Sequence, residues 1–171
     1  GIGRAAALEL ARRGARMLLV CRDRAKGDAV VGAIRAAGGE AELVVADLSL
    51  LSEVRRAGTE LLALSPRLDV LINNAGAIFQ RRELTAEGHE RTFALNHLSY
   101  LLLTDILLER LKAGAPARVV NVASAAHRRA KTEGFDDLRA ARGYDGWQRY
   151  GLSKLANILF TRELARRLEG T

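Results

Sequence analysis

The residues best suited to chemistry are Tyr150 and Lys154, four positions apart in the stretch Tyr150-Gly151-Leu152-Ser153-Lys154. On a helix, side chains at i and i+4 lie one turn above the other on a shared face, so this spacing makes a phenol and an ammonium neighbours. A free phenol titrates at about 10, and a nearby cation favours the phenolate, moving the value towards neutrality where proton exchange is useful. Ser124 closes an apolar run upstream of that helix. A hydroxyl at a strand end and another on the following helix can converge on one substrate oxygen. Asn96 falls inside a long helical pattern, where asparagine is mildly unfavourable because its side chain competes for backbone hydrogen bonds, and so it invites a reason.

The elements that must position these groups alternate along the chain. A helix over 4–13 stops at Gly14, a strand covers 16–21, a helix covers 24–37 and stops at Gly38-Gly39, and a strand covers 40–46. Helix 51–64 is broken by Pro66, a third strand covers 68–72, a long helical zone covers 85–112, and a fourth strand covers 117–123. A polar loop from Ser124 to Gly146 then leads into a last helix that runs to Leu168. Strands that are near-continuous apolar runs, alternating with helices, predict a parallel sheet covered on both faces. The fold class expected is α/β, a Rossmann-type doubly wound three-layer sandwich, with residues 1–171 forming one domain.

In such sheets ligands bind at the carboxyl ends of the strands, so the residues just past each strand are informative. Gly1-Ile2-Gly3 heads the first helix, where small residues let the backbone approach a pyrophosphate and free N–H groups face it; a tight turn without a ligand is the alternative. Cys21 and Arg22 follow the next strand, where an NAD-selective site would carry a carboxylate for the ribose hydroxyls. Arg22 can pair with a 2′-phosphate, which favours NADP(H) over NAD(H), although Asp23 stands beside it. Asp47 is placed to accept from an adenine amino group, or else to cap the helix after it. In Asn73-Asn74-Ala75-Gly76, small and amide residues allow a ribose to lie against the backbone while the amides tie loops together.

Composition narrows the classes. With 49% hydrophobic and 27% charged residues the chain reads as globular rather than disordered. The net charge of +7 raises the question of nucleic acid, but the arginines are scattered through helices, often paired as in Arg12-Arg13, Arg55-Arg56 and Arg166-Arg167, without interleaved aromatics. They read as solvated surface, and no nucleic-acid partner is expected. The single cysteine, Cys21, rules out an internal disulfide and fits a reducing, intracellular setting; no metal site is expected. The longest apolar stretch, from Tyr100 to Leu108, is interrupted by Asp105 and is about half of what a bilayer requires. The start at Gly1 and the end at Thr171 read as cuts, so a membrane anchor upstream stays open.

Gly-Ile-Gly at the head of the first helix, Asn-Asn-Ala-Gly after a strand, Asn96, Ser124 and Tyr150-x-x-x-Lys154, in this order, resemble the short-chain dehydrogenase/reductase family. The strings Cys-Arg-Asp at 21–23, Leu-Leu-Leu-Thr at 101–104 and Ser-Lys-Leu-Ala-Asn-Ile-Leu-Phe-Thr-Arg-Glu-Leu-Ala at 153–165 are similar to its retinol dehydrogenase-like subgroup. The resemblance implies that Tyr150 is the acid/base, that Lys154 lowers its pKa and binds the nicotinamide ribose, that Ser124 holds the substrate oxygen, and that Asn96 holds a water in a proton relay. It also implies coenzyme contacts at Gly1, Ile2, Gly3, Arg22, Asp47, Leu48, Asn74, Ala75 and Gly76, a lipophilic aldehyde, ketone or retinoid as substrate, association with a membrane such as the endoplasmic reticulum through an absent segment, and a possible homodimer.

The family's Thr-Gly-x-x-x turn and first strand are missing, and Ala123 stands where a second serine is common. Without that strand, which the resemblance places mid-sheet, two inner strand edges are expected to face a slot. A catalytically silent nucleotide-binding scaffold of the same fold and a sugar-nucleotide epimerase are the competing readings. The retention of Asn96, Ser124, Tyr150 and Lys154 speaks against the first, and the early Asn-Asn-Ala-Gly against the second.

Overall fold

The computed structural model describes residues 1–171. Helix α1 (Ile2–Arg12) leads into β1 (Met17–Cys21), α2 (Arg24–Ala36), β2 (Ala41–Val45), α3 (Leu51–Leu64) and β3 (Val70–Asn73). Then come α4 (Arg91–Phe93), a π-helical turn (Ala94–Leu98), α5 (Ser99–Ala113), β4 (Arg118–Asn121), two 3-10 turns (Ala125–Arg129 and Thr132–Asp137) and α6 (Gly146–Arg167). Each strand is one to three residues shorter than its apolar run, and β3 starts two residues later and ends one residue later than expected.

Strands β1 and β2 pair in parallel from Met17↔Ala41 to Cys21↔Val45, and β3 and β4 from Val70↔Arg118 to Asn73↔Asn121. The period of two divides the first pair between layers. Met17, Leu19, Ala41 and Leu43 pack with Ala11, Val31 and Ile34 of α1 and α2. Leu18, Val20 and Val44 pack with Val54, Ala57 and Leu61 of α3 and with Leu103, Leu107 and Leu111 of α5. The second pair places Leu71 and Val119 in that same core. Its other face departs from the expected two-sided cover: Val70, Ile72 and Val120 are exposed, because no element of the chain packs there. The two ladders are separate two-stranded sheets, so β1 and β3 each keep an inner edge without a strand partner.

The helix expected from residue 85 begins at Arg91 instead. Gly88 adopts φ +80°, a left-handed conformation that ends any helical run, and Leu84 and Glu90 form an antiparallel bridge that folds 84–90 into a tight loop. Glu90 then caps α4, accepting from the Thr92 and Phe93 amides at 2.8 and 2.9 Å. The segment 124–146, expected to be a loop, contains the two short 3-10 turns, the first packed on α6.

Candidate active site

Helix α6 is started by Asp145, whose carboxylate accepts from the Trp147 and Gln148 amides at 2.8 and 3.1 Å. That cap sets the face on which Tyr150 and Lys154 lie one turn apart. The Lys154 ammonium sits 5.6 Å from the centre of the Tyr150 ring and donates to the Val122 carbonyl at 2.8 Å, just past β4 and two residues before Ser124. Burial pulls the lysine down to about 8 from its usual range.

Glycines permit the approach. A Cβ on Gly76 would lie 3.1 Å from Asn96 Oδ1 and 3.5 Å from Lys154 Nζ, so the Asn-Asn-Ala-Gly turn runs directly beside both groups. A Cβ on Gly3 would strike the Asn74 amide at 2.6 Å, which brings the head of α1 to the same turn. A Cβ on Gly151 would meet the Ala126 carbonyl at 2.6 Å, so α6 and the turn after Ser124 pack backbone to backbone. Ser124 heads that turn, its hydroxyl oxygen accepting from the Ala126 amide at 3.2 Å.

Asn96 has the reason that its place in a helix demanded. The π-helical turn, closed by the Ser99 amide on the Ala94 carbonyl, turns its side chain inward. There Asn96 accepts from the Ala77 amide at 2.9 Å and donates to the Ala77 carbonyl at 2.9 Å and to Ser153 Oγ at 3.1 Å. Its own carbonyl accepts from Asn157 Nδ2 at 2.8 Å. Because the Asn157 amide nitrogen faces that carbonyl, its oxygen faces His97 Nδ1 at 2.9 Å, and the histidine must carry its proton on Nδ1. Burial lowers the His97 pKa, opposed by the bond to Asn157.

The coenzyme candidates lie along the same strand ends. Gly1 and Ile2 are exposed at the head of α1, with open space around Gly1 and no acid in the first turn. Asp23, which stood against the Arg22 argument, is occupied: it caps α2 by accepting from the Lys26 amide at 3.0 Å, and that bond lowers its pKa. Asp47 accepts from the Ser49 amide and hydroxyl at 2.9 and 2.8 Å and has its other oxygen 4.0 Å from Arg22. It does not cap α3. That helix is capped by Glu87, which accepts from the Leu51 and Ser52 amides at 2.6 and 2.8 Å. Leu48 packs against the main core beside Asp47.

Sequence reasoning missed Tyr100, Asn157 and Ser153, which touch Lys154 or Asn96. A signal existed for two of them: Tyr100 lies four residues after Asn96, and Asn157 lies three after Lys154, both spacings that share a helix face.

A sequence model of the family described as short chain dehydrogenase matches residues 1–171. The chain belongs to the short-chain dehydrogenase family. Retinol dehydrogenase 12 of Mus musculus is 48% identical over 100% of this chain and 54% of its own length. Among solved structures, a metagenomic short-chain oxidoreductase in complex with NADP is 30% identical, covers 99% of this chain and 71% of that one, and superposes with a TM-score of 0.79. The NADH-dependent reductase A1-R′ complexed with NAD is also 30% identical, with TM-score 0.79, over 99% of this chain and 69% of that one. This short-chain dehydrogenase chain spans about half the length of the retinol dehydrogenases it matches.

Proposed function

We propose that the protein is an NADP(H)-dependent oxidoreductase that interconverts a carbonyl and an alcohol, with residues 1–171 as its coenzyme-binding domain. The observation that carries this reading is the Lys154 ammonium held between the Tyr150 ring and the Val122 carbonyl, next to the Gly76 turn.

The chain fits a dinucleotide. The head of α1 offers backbone N–H groups and no repelling carboxylate, Gly3 and Gly76 leave no room for a side chain where the backbone closes in, and the turn that carries Asn74 and Ala75 packs on Gly3. Arg22 is exposed, with a long 4.0 Å contact to Asp47, and can turn to a 2′-phosphate while Asp23 is committed to its helix. The reduced nicotinamide, when bound, supplies the hydride. Tyr150 gives its hydroxyl proton to the substrate oxygen. The Ser124 oxygen already accepts from Ala126, which leaves its O–H to donate to the same oxygen. Lys154 stabilises the charge left on the phenol and holds the ribose hydroxyls. Asn96 fixes the 75–77 turn with its side chain, and the second lone pair of its carbonyl can accept from a water returning a proton towards Lys154.

The retinol dehydrogenase relatives favour a lipophilic aldehyde, ketone or retinoid as substrate. No helix is long and apolar enough to cross a membrane, so the proposed intracellular membrane association would rest on segments outside this sequence. Leu101 of α5 and Leu159 of α6 are exposed apolar residues on the helices that would pair in a homodimer.

The test is a fluorescence titration of the full-length protein with NADPH and NADH, followed by turnover of all-trans-retinal. Tighter NADPH binding and turnover are expected, and Tyr150→Phe should lower turnover by at least about 100-fold with coenzyme affinity nearly unchanged. Equal or tighter NADH binding would refute the role of Arg22. Coenzyme binding with no turnover of any aldehyde would leave the silent scaffold.

A further inference from the structure

Two cations are buried in this chain, Arg149 and Lys154. Arg149 is matched by backbone acceptors, donating to the Gly134 and Asp137 carbonyls. Lys154 has three N–H donors and one protein acceptor, Val122, and no ion pair. Burying an ammonium is costly, so a further favourable contact from the protein matters there.

What faces it is aromatic. The Tyr100 ring centre lies 5.4 Å from Nζ, beside the Tyr150 ring at 5.6 Å, so the cation rests against the negative faces of two phenols. The two are not equivalent. Tyr100 is 2% exposed, and its hydroxyl donates to the Ala75 carbonyl at 2.8 Å, one residue before the glycine that runs beside Lys154. Burial, with the nearby charge of Tyr150, drives the Tyr100 phenol upwards, so it stays neutral and has no part in proton exchange.

We propose that Tyr100 is a positioning residue: its ring holds the Lys154 ammonium, and its hydroxyl ties that ring to the Ala75-Gly76 turn, keeping the lysine charged and directed at Tyr150. This rests on the roles proposed above for Tyr150 and Lys154. The groups packed around Lys154 are Tyr150 on its own helix, Tyr100 on α5, the Val122 carbonyl after β4 and the Gly76 backbone, with the Asn96 amide on the other side of Gly76. The neighbouring titratable group, His97, is turned onto Asn157. No carboxylate among them can replace the ring.

Removing the ring face therefore favours the neutral amine, and the lysine loses its proton at a lower pH. In the full-length protein, the alkaline limb of kcat/KM for aldehyde reduction with NADPH should move about one pH unit lower in Tyr100→Leu. Tyr100→Phe, which keeps the ring, should leave the limb at the wild-type position. Phenylalanines carrying one and then three ring fluorines at position 100 keep the shape while draining the ring face, and should move the limb down in steps. These shape-matched variants decide the matter if the leucine variant does not fold. An unmoved limb across the fluorine series overturns the proposal, provided that Tyr150→Phe abolishes turnover. Turnover retained in Tyr150→Phe marks the failure of the underlying acid/base reading instead.

Discussion

The part of the molecule before β3 and the part after it are held by different means. Before β3, the buried polar residues are Ser49 and Ser65; all the others lie between Asn73 and Asn157. The first part keeps its charges outside, in short helical pairs such as Glu9 with Arg12 and Arg13, and Arg56 with Glu53, over a core of alanine and branched aliphatics. The second part encloses an amide-histidine network in which Asn96, His97 and Asn157 each have assigned partners, beside a lysine with a single protein acceptor. Aliphatic packing tolerates exchange at constant volume, whereas a buried hydrogen-bond network requires each partner. The first part thus tolerates exchange of its side chains more readily than the second, where each buried polar group depends on a particular partner.

Asn157→Leu is the most direct way to break this contrast. It strands the Asn96 carbonyl and His97 Nδ1 at once and should cost roughly 2–4 kcal/mol in urea unfolding of the full-length protein. A loss under about 1 kcal/mol would show that packing, rather than the network, holds the second part as well.

A pair of glycine substitutions sharpens it. Gly151→Ala forces a methyl to 2.6 Å from the Ala126 carbonyl and should destabilise by about 1–3 kcal/mol, with a fall in turnover as the turn carrying Ser124 shifts. Gly32→Ala, in the middle of α2 with nothing within 4 Å, should instead stabilise by about 0.5–1 kcal/mol. Equal signs in the two melting curves would erase the distinction. The smallest effect belongs to Glu9→Gln: the Arg12 and Arg13 guanidiniums hold that carboxyl at about 2, yet all three side chains lie at the surface, and the melting temperature should not change measurably.

How much was legible follows the same division. The four strands, the helices before β3 and the Tyr150–Lys154 pair could be read because apolar period and i,i+4 spacing are local properties. Arg91 as the true start of its helix could not, since the Glu90 cap and the Gly88 turn compete with a continuous helical pattern of similar strength. Glu87 capping α3 from another loop, and Tyr100 under Lys154, depend on which surfaces meet after folding. Asn96 lay between these cases: its oddness inside a helix was visible, but its partners at Ala77, Ser153 and Asn157 were not.

The π-helical turn at Ala94–Leu98 also sets a phase. Each residue advances a helix by about 100°, so one additional residue in a turn re-aims everything on one side of it against everything on the other. With the turn in place, Asn96 and Tyr100 look towards the lysine while Leu103, Leu107 and Leu111 look into the main core. A chain shortened by one residue there would remain helical and nearly unchanged in composition, yet could satisfy only one of those two orientations. The irregular turn is what lets a single rod serve a dry interior and the polar surroundings of the lysine together.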